Sequence, residues 1–498
     1  MNPLLLTDGY KLDHRRQYPA GTTLVYSNWT PRKSRVDNIE EVVFFGLQYF
    51  LKRYVLHDFE EHFFKRPKGE VVAEYAARVN AYLGPNSVGT DHVAALHDLG
   101  YIPMSFKALP EGARVPIRVP MFTMVNTLPQ FFWLTNYFET LLSAVVWMPC
   151  NSATIARQYR TILDAAAAKT SSTPEFVDWQ GHDFSMRGMA GIDASLMSGA
   201  AHLLSFSGSD TIPAVDWLER YYNADAQAKL VAGSVAATEH SVMSMGTQTD
   251  ELETFRRLIE DVYPSGIVSI VSDTWDLWQV LTEYLPALKD KVLARDGKVV
   301  VRPDSGDPVD IICGSLDSAR DDDTPLSEHE RKGVIELLWE VFGGTTNAKG
   351  YRELDPHIGA IYGDSITLDR AQAICDRLAA KGFASTNVVL GVGSFTYQYN
   401  TRDTFGFAMK ATYGEVDGEG RAIFKDPVTD DGTKKSARGL VRVEREGDTY
   451  VLHDEQTWDQ EARGELREVF RDGKLLVDWT LGDVRARVRG DDNSSSAA

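Results

Sequence analysis

The run Lys298-Val299-Val300-Val301, followed at once by Arg302-Pro303-Asp304-Ser305-Gly306, decides the fold. A short apolar run reads as a buried strand, and the proline and glycine behind it end the element. The exit carries an arginine and an aspartate, residues that can hold phosphate oxygens and sugar hydroxyls. The same unit recurs on both sides. Toward the C-terminus lie Ile358–Tyr362 before Gly363-Asp364-Ser365, and Asn387–Leu390 before Gly391-Val392-Gly393-Ser394. Toward the N-terminus lie Gly266–Val271 before Ser272-Asp273, and Gly233–Ala237 before Glu239-His240. His202–Phe206 before Gly208-Ser209-Asp210 and Glu175–Asp178 before Gly181-His182-Asp183 complete the set. Several are separated by about 30 residues with a helical pattern, as in successive βα units. Seven such strands with polar residues at their C-terminal ends predict an irregular α/β barrel over residues 151–395.

The flanks read differently. Ser152–Lys169 is a predicted helix with Asn151 or Ser152 as its cap. The long interval from Pro308 to His357 is expected to carry extra helices. In residues 1–150, Leu24–Trp29 reads as a strand and Val42–Val55 as a helix. Ser105–Val125 reads as short strands broken by Pro110, Gly112, Pro116 and Pro120. Phe131–Met148 is apolar but contains Asn136 and Glu139, so it reads as a buried amphipathic helix and not a membrane span. Past residue 400, Val441–Glu444, Thr449–His453 and Lys474–Trp479 read as strands. Residues 1–150 and 396–490 are expected to form a mixed α+β domain flanking the barrel, with residues 491–498 a disordered tail.

Composition narrows the partners. The 498 residues are 43% hydrophobic and carry a formal charge of -19, which argues against nucleic acid or an anionic membrane as partner. Three scattered cysteines, Cys150, Cys313 and Cys375, indicate neither a disulfide framework nor a metal site and suit a reducing, cytoplasmic compartment. Met1–Tyr10 lacks the basic flank and apolar length of a signal peptide.

No single motif settles the chemistry. There is no Walker A or HExxH motif, and Gly391-Val392-Gly393-Ser394 lacks the third glycine of a dinucleotide fingerprint. The collection is stronger, because barrel strand ends converge on one mouth. Gly363-Asp364 and Gly393-Ser394 sit at turns where backbone N–H groups can cradle phosphate. Arg302 can clamp phosphate oxygens while Asp304 accepts from sugar hydroxyls or a hydrated Mg²⁺. Arg402, Lys410, Lys425, Lys434 and Lys435 form a downstream basic series that suits an oligophosphate. Each residue also has a plainer reading. His240 and His182 can be packing histidines, and Phe184 and Tyr10 core aromatics. Asp210 can be a helix cap, Asp273 and Asp304 turn formers, and Lys434 and Lys435 solvated loop residues.

At these residues the chain resembles the nicotinamide phosphoribosyltransferases. The matches run in order from Leu6-Thr7-Asp8-Gly9-Tyr10-Lys11, through Phe45-Gly46-Leu47-Gln48-Tyr49, Trp133-Leu134-Thr135-Asn136, His182-Asp183-Phe184 and Arg187-Gly188. They continue through Ala237-Thr238-Glu239-His240-Ser241, Val271-Ser272-Asp273 and Arg302-Pro303-Asp304-Ser305-Gly306 to Lys425-Asp426-Pro427. The resemblance implies a type II phosphoribosyltransferase fold and a homodimer with shared active sites. The substrates it implies are nicotinamide and phosphoribosyl pyrophosphate, with Mg²⁺ carried mainly by pyrophosphate and ATP as a coupling substrate. It implies that Phe184, with Tyr10 of the partner subunit, sandwiches the pyridine ring and that Asp210 bonds the carboxamide. His240 would carry a phosphoryl group from ATP, acting with Asp304 and Arg302. Asp8, Arg187, Ser269, Asp273, Gly363, Asp364, Gly393 and Ser394 would line the ribose phosphate and nucleotide site. Arg32, Arg402, Lys410 and Lys425 match the pyrophosphate-side basic residues. The chain departs from the family at Ser394, where a second glycine is usual, and at Ala408, where a phosphate-contacting serine is usual. Asp210 disfavours nicotinate as substrate, since two carboxylates repel. A barrel that only binds nucleotides and a metal-dependent barrel lyase are readings from other classes.

Overall fold

The computed structural model describes residues 1–317, 319, 324–363, 365–425 and 437–490. Asp364, the pair Asp426-Pro427, Lys434, Lys435 and the tail 491–498 lie outside the described residues. Two compact units are present. One comprises Met1–Thr154, Trp217–Ala224 and the chain from Asn400 on; the other comprises Ile155–Asp216 and Asp225–Tyr399.

The second unit holds a seven-stranded parallel sheet. Its strands are, in chain order, Gly181–Asp183, Gly208–Ser209, Ala236–Ala237, Ser265–Val271, Asp296–Arg302, Ile358–Tyr362 and Val388–Val392. The last strand pairs with the first, Leu390 opposite Gly181, inside the curled sheet of this α/β barrel, whose edges are the second and third strands. The second and third strands do not pair directly; a single parallel bridge from Gly208 to Gly233 joins them. Helices such as Ile192–His202, Leu285–Leu293 and Leu368–Ala380 connect the strands. The long fifth connection carries the helices Pro308–Cys313 and Glu328–Phe342 and a two-stranded ribbon, Gly344–Thr346 with Arg352–Leu354.

Alternation along each strand sorts the barrel's side chains. On the fifth strand Val299 and Val301 are buried, while Lys298, Val300 and Arg302 line an internal cavity. The strand Ile358–Tyr362 is buried along its whole length, as expected where helices cover a parallel sheet.

Two predicted strands are misplaced, for one reason. Glu175–Asp178 is a 3₁₀ turn running into the helix Val177–Gln180, and His202–Phe206 is a helix end and turn. The true strands are the polar tripeptide Gly181–Asp183 and the dipeptide Gly208–Ser209. Asp183 is fully buried and accepts from Ser185 N–H, Ser209 Oγ and Thr211 Oγ1, so hydrogen bonds hold this edge where the apolar pattern is missing.

The first unit contains an antiparallel sheet in which Thr22–Thr30 lies between Ala408–Val416 and Phe122–Asn126. Trp29 stacks on Phe407 at 5.4 Å in its core. The predicted helix Val42–Val55 is instead a strand, Glu41–Val43, followed by a helix from Leu47. Gly46, at φ +104°, makes the break, and a Cβ there would lie 2.6 Å from Pro149. The predicted cap at Asn151 or Ser152 is absent, because one helix, Glu139–Thr170, runs through it with Pro149 inside. Lys474–Trp479 is a strand only at Lys474–Leu475. Among the described residues no helix is long and apolar enough to cross a membrane.

Glu111 ties this unit together. It is fully buried and accepts from Gly46 N–H at 2.9 Å, Gln48 N–H at 2.6 Å and Tyr222 Oη at 2.6 Å. Burial pushes its pKa up to about 6, moderated by those hydrogen bonds. A folded-state pKa above the unfolded one contributes stability below pH 4.5, lost as pH rises through about 6. Glu111→Ala is expected to strand three donors and cost about 3–5 kcal/mol. A drop of several degrees in melting temperature checks this, and a loss under about 1 kcal/mol would contradict it.

Candidate active site

The barrel encloses a cavity of about 480 Å³, and the residues at its C-terminal mouth are His182, Phe184, Asp210 and Arg302. Phe184 and Asp210 directly follow strand ends, Arg302 closes its strand, and His182 lies within the first strand, so all four sit where strand C-termini converge. Phe184 N–H donates to Val392 O at 3.0 Å, which fixes the ring just beyond the first strand. Arg302 places its guanidinium carbon 5.3 Å from the centre of that ring.

Asp210 is not a side-chain helix cap. Its carboxylate accepts from His182 Nε2 at 3.0 Å and from Ser234 Oγ at 2.5 Å, both on Oδ1. Burial pushes its pKa up, but the hydrogen bonds from His182 and Ser234 and the His182 and Arg302 charges outweigh that. The net result lies below the usual carboxylate value, so Asp210 is ionised at neutral pH. Oδ2 has no donor among the described residues.

A second group sits at the fourth, fifth and sixth strand ends. Asp273 Oδ2 accepts from Asp304 N–H at 2.8 Å and Ser305 Oγ at 2.6 Å. Among the described residues, Asp273 Oδ1, Asp304 Oδ1, Arg302 Nε and Ser269 Oγ are buried without a hydrogen-bond partner. Buried polar atoms without partners are expensive, and four together mark a place where a polar ligand completes the set. Gly363 borders them: a Cβ there would lie 2.4 Å from Asp304 Oδ1 and 2.9 Å from Arg302 Nε. His240 opens the short helix His240–Met245 and is half exposed. Its Nδ1 is 3.2 Å from Thr274 Oγ1 and its Nε2 is 3.9 Å from Asp304 Oδ2.

Arg187 lies on the loop past Phe184, and both line a further cavity of about 470 Å³ with Asp210. Gly393 precedes the helix Ser394–Gln398, and Ser394 Oγ fills the space a Cβ on Gly188 would need. The other predicted residues belong to the first unit. Asp8, Tyr10 and Arg402 line a cleft of about 250 Å³, with the Tyr10 ring 62% exposed, which removes its reading as a core aromatic. Lys410 sits on the strand opposite Asn28, and Ala408 opposite Thr30. Burial lowers the Lys410 pKa; Glu139 opposes this, while Arg32, Lys11 and Arg402 push it further down, so these cations share one region. Arg32 Nε donates to Gly406 O at 3.0 Å. Lys425 is exposed.

The sequence reading missed Ser234 and Thr274. Ser234 falls inside the predicted strand Gly233–Ala237 and Thr274 just past Ser272-Asp273, and no local pattern marks either hydroxyl. Among the described residues no three His, Cys, Asp or Glu side chains are grouped to hold a metal ion.

Comparison with known proteins settles the lineage. The model of the nicotinate phosphoribosyltransferase (NAPRTase) family matches residues 179–474. The chain belongs to the nicotinate phosphoribosyltransferase family. Residues 2–64 match the nicotinamide phosphoribosyltransferase N-terminal domain. Within the family the chain is similar to a nicotinamide phosphoribosyltransferase of Acinetobacter baylyi, 54% identical over 98% of this chain and 97% of that one. It is also similar to one of Mycoplasma pneumoniae, 36% identical over 88% and 94%. The human nicotinic acid phosphoribosyltransferase structure shares the fold, with a TM-score of 0.56 at 15% identity, covering 97% of this chain and 93% of that one.

Proposed function

We propose that the chain is a nicotinamide phosphoribosyltransferase, joining nicotinamide to 5-phosphoribosyl 1-pyrophosphate to give nicotinamide mononucleotide and pyrophosphate in NAD biosynthesis. The observation that carries this reading is the ionised Asp210 on the cavity wall, whose described donors both use Oδ1 and leave Oδ2 to accept from a carboxamide NH₂. The pyridine nitrogen uses its lone pair to form the bond to the sugar's anomeric carbon as the bond to the pyrophosphate oxygen breaks. That nitrogen carries no proton to remove, so positioning supplies much of the rate. Phe184 packs on one face of the pyridine ring, and Tyr10 of the partner subunit on the other. The unpaired Arg302 Nε and the neighbouring Arg187 suit the substrate's phosphate oxygens.

The cations around Lys410 suit the pyrophosphate, where charge grows as the bond breaks. Mg²⁺ comes with that diphosphate as its counterion, and the unpaired oxygens of Asp273 and Asp304 suit its bound waters. ATP serves as a coupling substrate, with His240 as the residue that holds its phosphoryl group. The three cysteines are buried and unpaired, which suits the cytoplasm. Incubation with phosphoribosyl pyrophosphate, Mg²⁺ and either nicotinamide or nicotinate tests the reading. Mononucleotide should form from nicotinamide; product from nicotinate alone would overturn it.

Two further outcomes follow from this reading. Gly363→Ala should lower kcat/KM by about 100-fold, because its Cβ displaces Asp304 and Arg302. Steady-state kinetics with an unchanged melting temperature check it. The enzyme is a homodimer whose sites take Tyr10 from one chain and His240 from the other. Mixing Tyr10→Ala and His240→Ala proteins, neither of which supports ATP-coupled synthesis alone, under subunit exchange should therefore restore ATP-coupled synthesis, and no recovery after proven exchange would refute shared sites.

A further inference from the structure

We infer that Ser234 is a specificity-determining residue that acts through Asp210, holding one carboxylate oxygen so that the other is presented to the pyridine substituent. The inference rests on the nicotinamide reading above and deepens it. It starts at the seam of the barrel. The second and third strands are too short to pair directly, and Gly233 fills the gap. Ser209 N–H donates to Gly233 O at 3.1 Å, and Gly233 N–H donates to Ser207 O at 2.8 Å. Glycine is needed there, since a Cβ would come within 2.9 Å of the Trp179 ring. These bonds pin the backbone next to Ser234. On the facing side, Asp210 N–H donates to Asp183 O at 2.9 Å. Serine and aspartate are thus fixed by their main chains before their side chains meet.

The side chains then divide the carboxylate. Ser234 Oγ at 2.5 Å and His182 Nε2 at 3.0 Å both donate to Oδ1. The terminal torsion of an aspartate is soft, so a single donor leaves the carboxylate free to rock. Two donors, one on the first strand and one on the segment leading into the third, fix its plane. Oδ2 is left as the acceptor with no described donor, and it is this oxygen that tells an NH₂ group from a second carboxylate. Losing Ser234 releases the plane and weakens the acceptor, while Phe184, Arg302 and Arg187 stay in place. The effect belongs in nicotinamide affinity and in the amide-to-acid ratio, with little change in turnover.

The test compares wild type, Ser234→Ala, Ser234→Thr and Asp210→Asn, measuring kcat and KM for nicotinamide and for nicotinate. Ser234→Ala should raise the nicotinamide KM about tenfold and narrow the preference over nicotinate by a similar factor, with kcat within about twofold. Ser234→Thr keeps the hydroxyl and should restore both values toward wild type. An unchanged KM and ratio in Ser234→Ala, while Asp210→Asn narrows the ratio, would overturn the role of Ser234 and leave the Asp210 reading standing. Unchanged ratios in both variants would overturn the Asp210 reading itself.

Discussion

Asp210→Asn is expected to cut the preference for nicotinamide over nicotinate from about 10⁴-fold to about 10²-fold or less. Wild-type Asp210 is ionised, because the donors His182 and Ser234 and the Arg302 charge outweigh its burial. Nicotinamide can donate its NH₂ to the open Oδ2. Nicotinate offers only oxygens there, leaves that acceptor unpaired and brings a like charge into hydrogen-bond range. An unpaired buried polar group costs about 1–3 kcal/mol, more when charged. Asparagine removes the charge and can turn an NH₂ toward the substrate's carboxylate. Nicotinamide should lose and nicotinate gain. The measurement is kcat/KM for both substrates in both proteins, and an unchanged ratio would mean that selectivity is set elsewhere in the pocket.

His240→Ala should abolish phosphoryl transfer from ATP to the protein. Radiolabelled ATP is expected to leave an acid-labile, base-stable label on the wild type and none on the variant, with ATP hydrolysis lost in parallel. The arrangement suits the role. His240 is half exposed at the barrel mouth, with Nδ1 beside the Thr274 hydroxyl and Nε2 near the Asp304 carboxylate. The carboxylate lies 3.9 Å from Nε2, where its negative charge favours the imidazolium character that develops as the ring takes a phosphoryl group. Synthesis of mononucleotide without ATP should persist at a reduced rate. Label that survives the substitution would place the phosphoryl group on another residue.

The barrel was legible where its strands bury apolar side chains on both faces. Ile358–Tyr362 is such a strand, and its bounds were read to the residue. The strands at Gly181–Asp183 and Gly208–Ser209 were not legible, because Asp183 and its hydroxyl partners hold that edge and carry no hydrophobic period. Nor could the sequence show that Trp217–Ala224, in the middle of the barrel's own stretch, belongs to the first unit.

The site divides in the same way. The types of residue at the strand ends, Phe184, Asp210, His240, Asp273, Arg302 and Gly363, follow from the sequence, because βα units bring strand ends to one mouth whatever the details of packing. Their states do not follow from it. Whether Asp210 caps a helix or stands ionised in a cavity depends on Ser234 and His182, which are 24 and 28 residues away from it. Whether Gly363 is merely permissive or required depends on Asp304 and Arg302 closing to 2.4 and 2.9 Å of its missing Cβ, inside van der Waals contact. Local chemistry is written in the chain, but pKa, orientation and close approach are set by neighbours remote in sequence, and only the folded barrel brings those neighbours together.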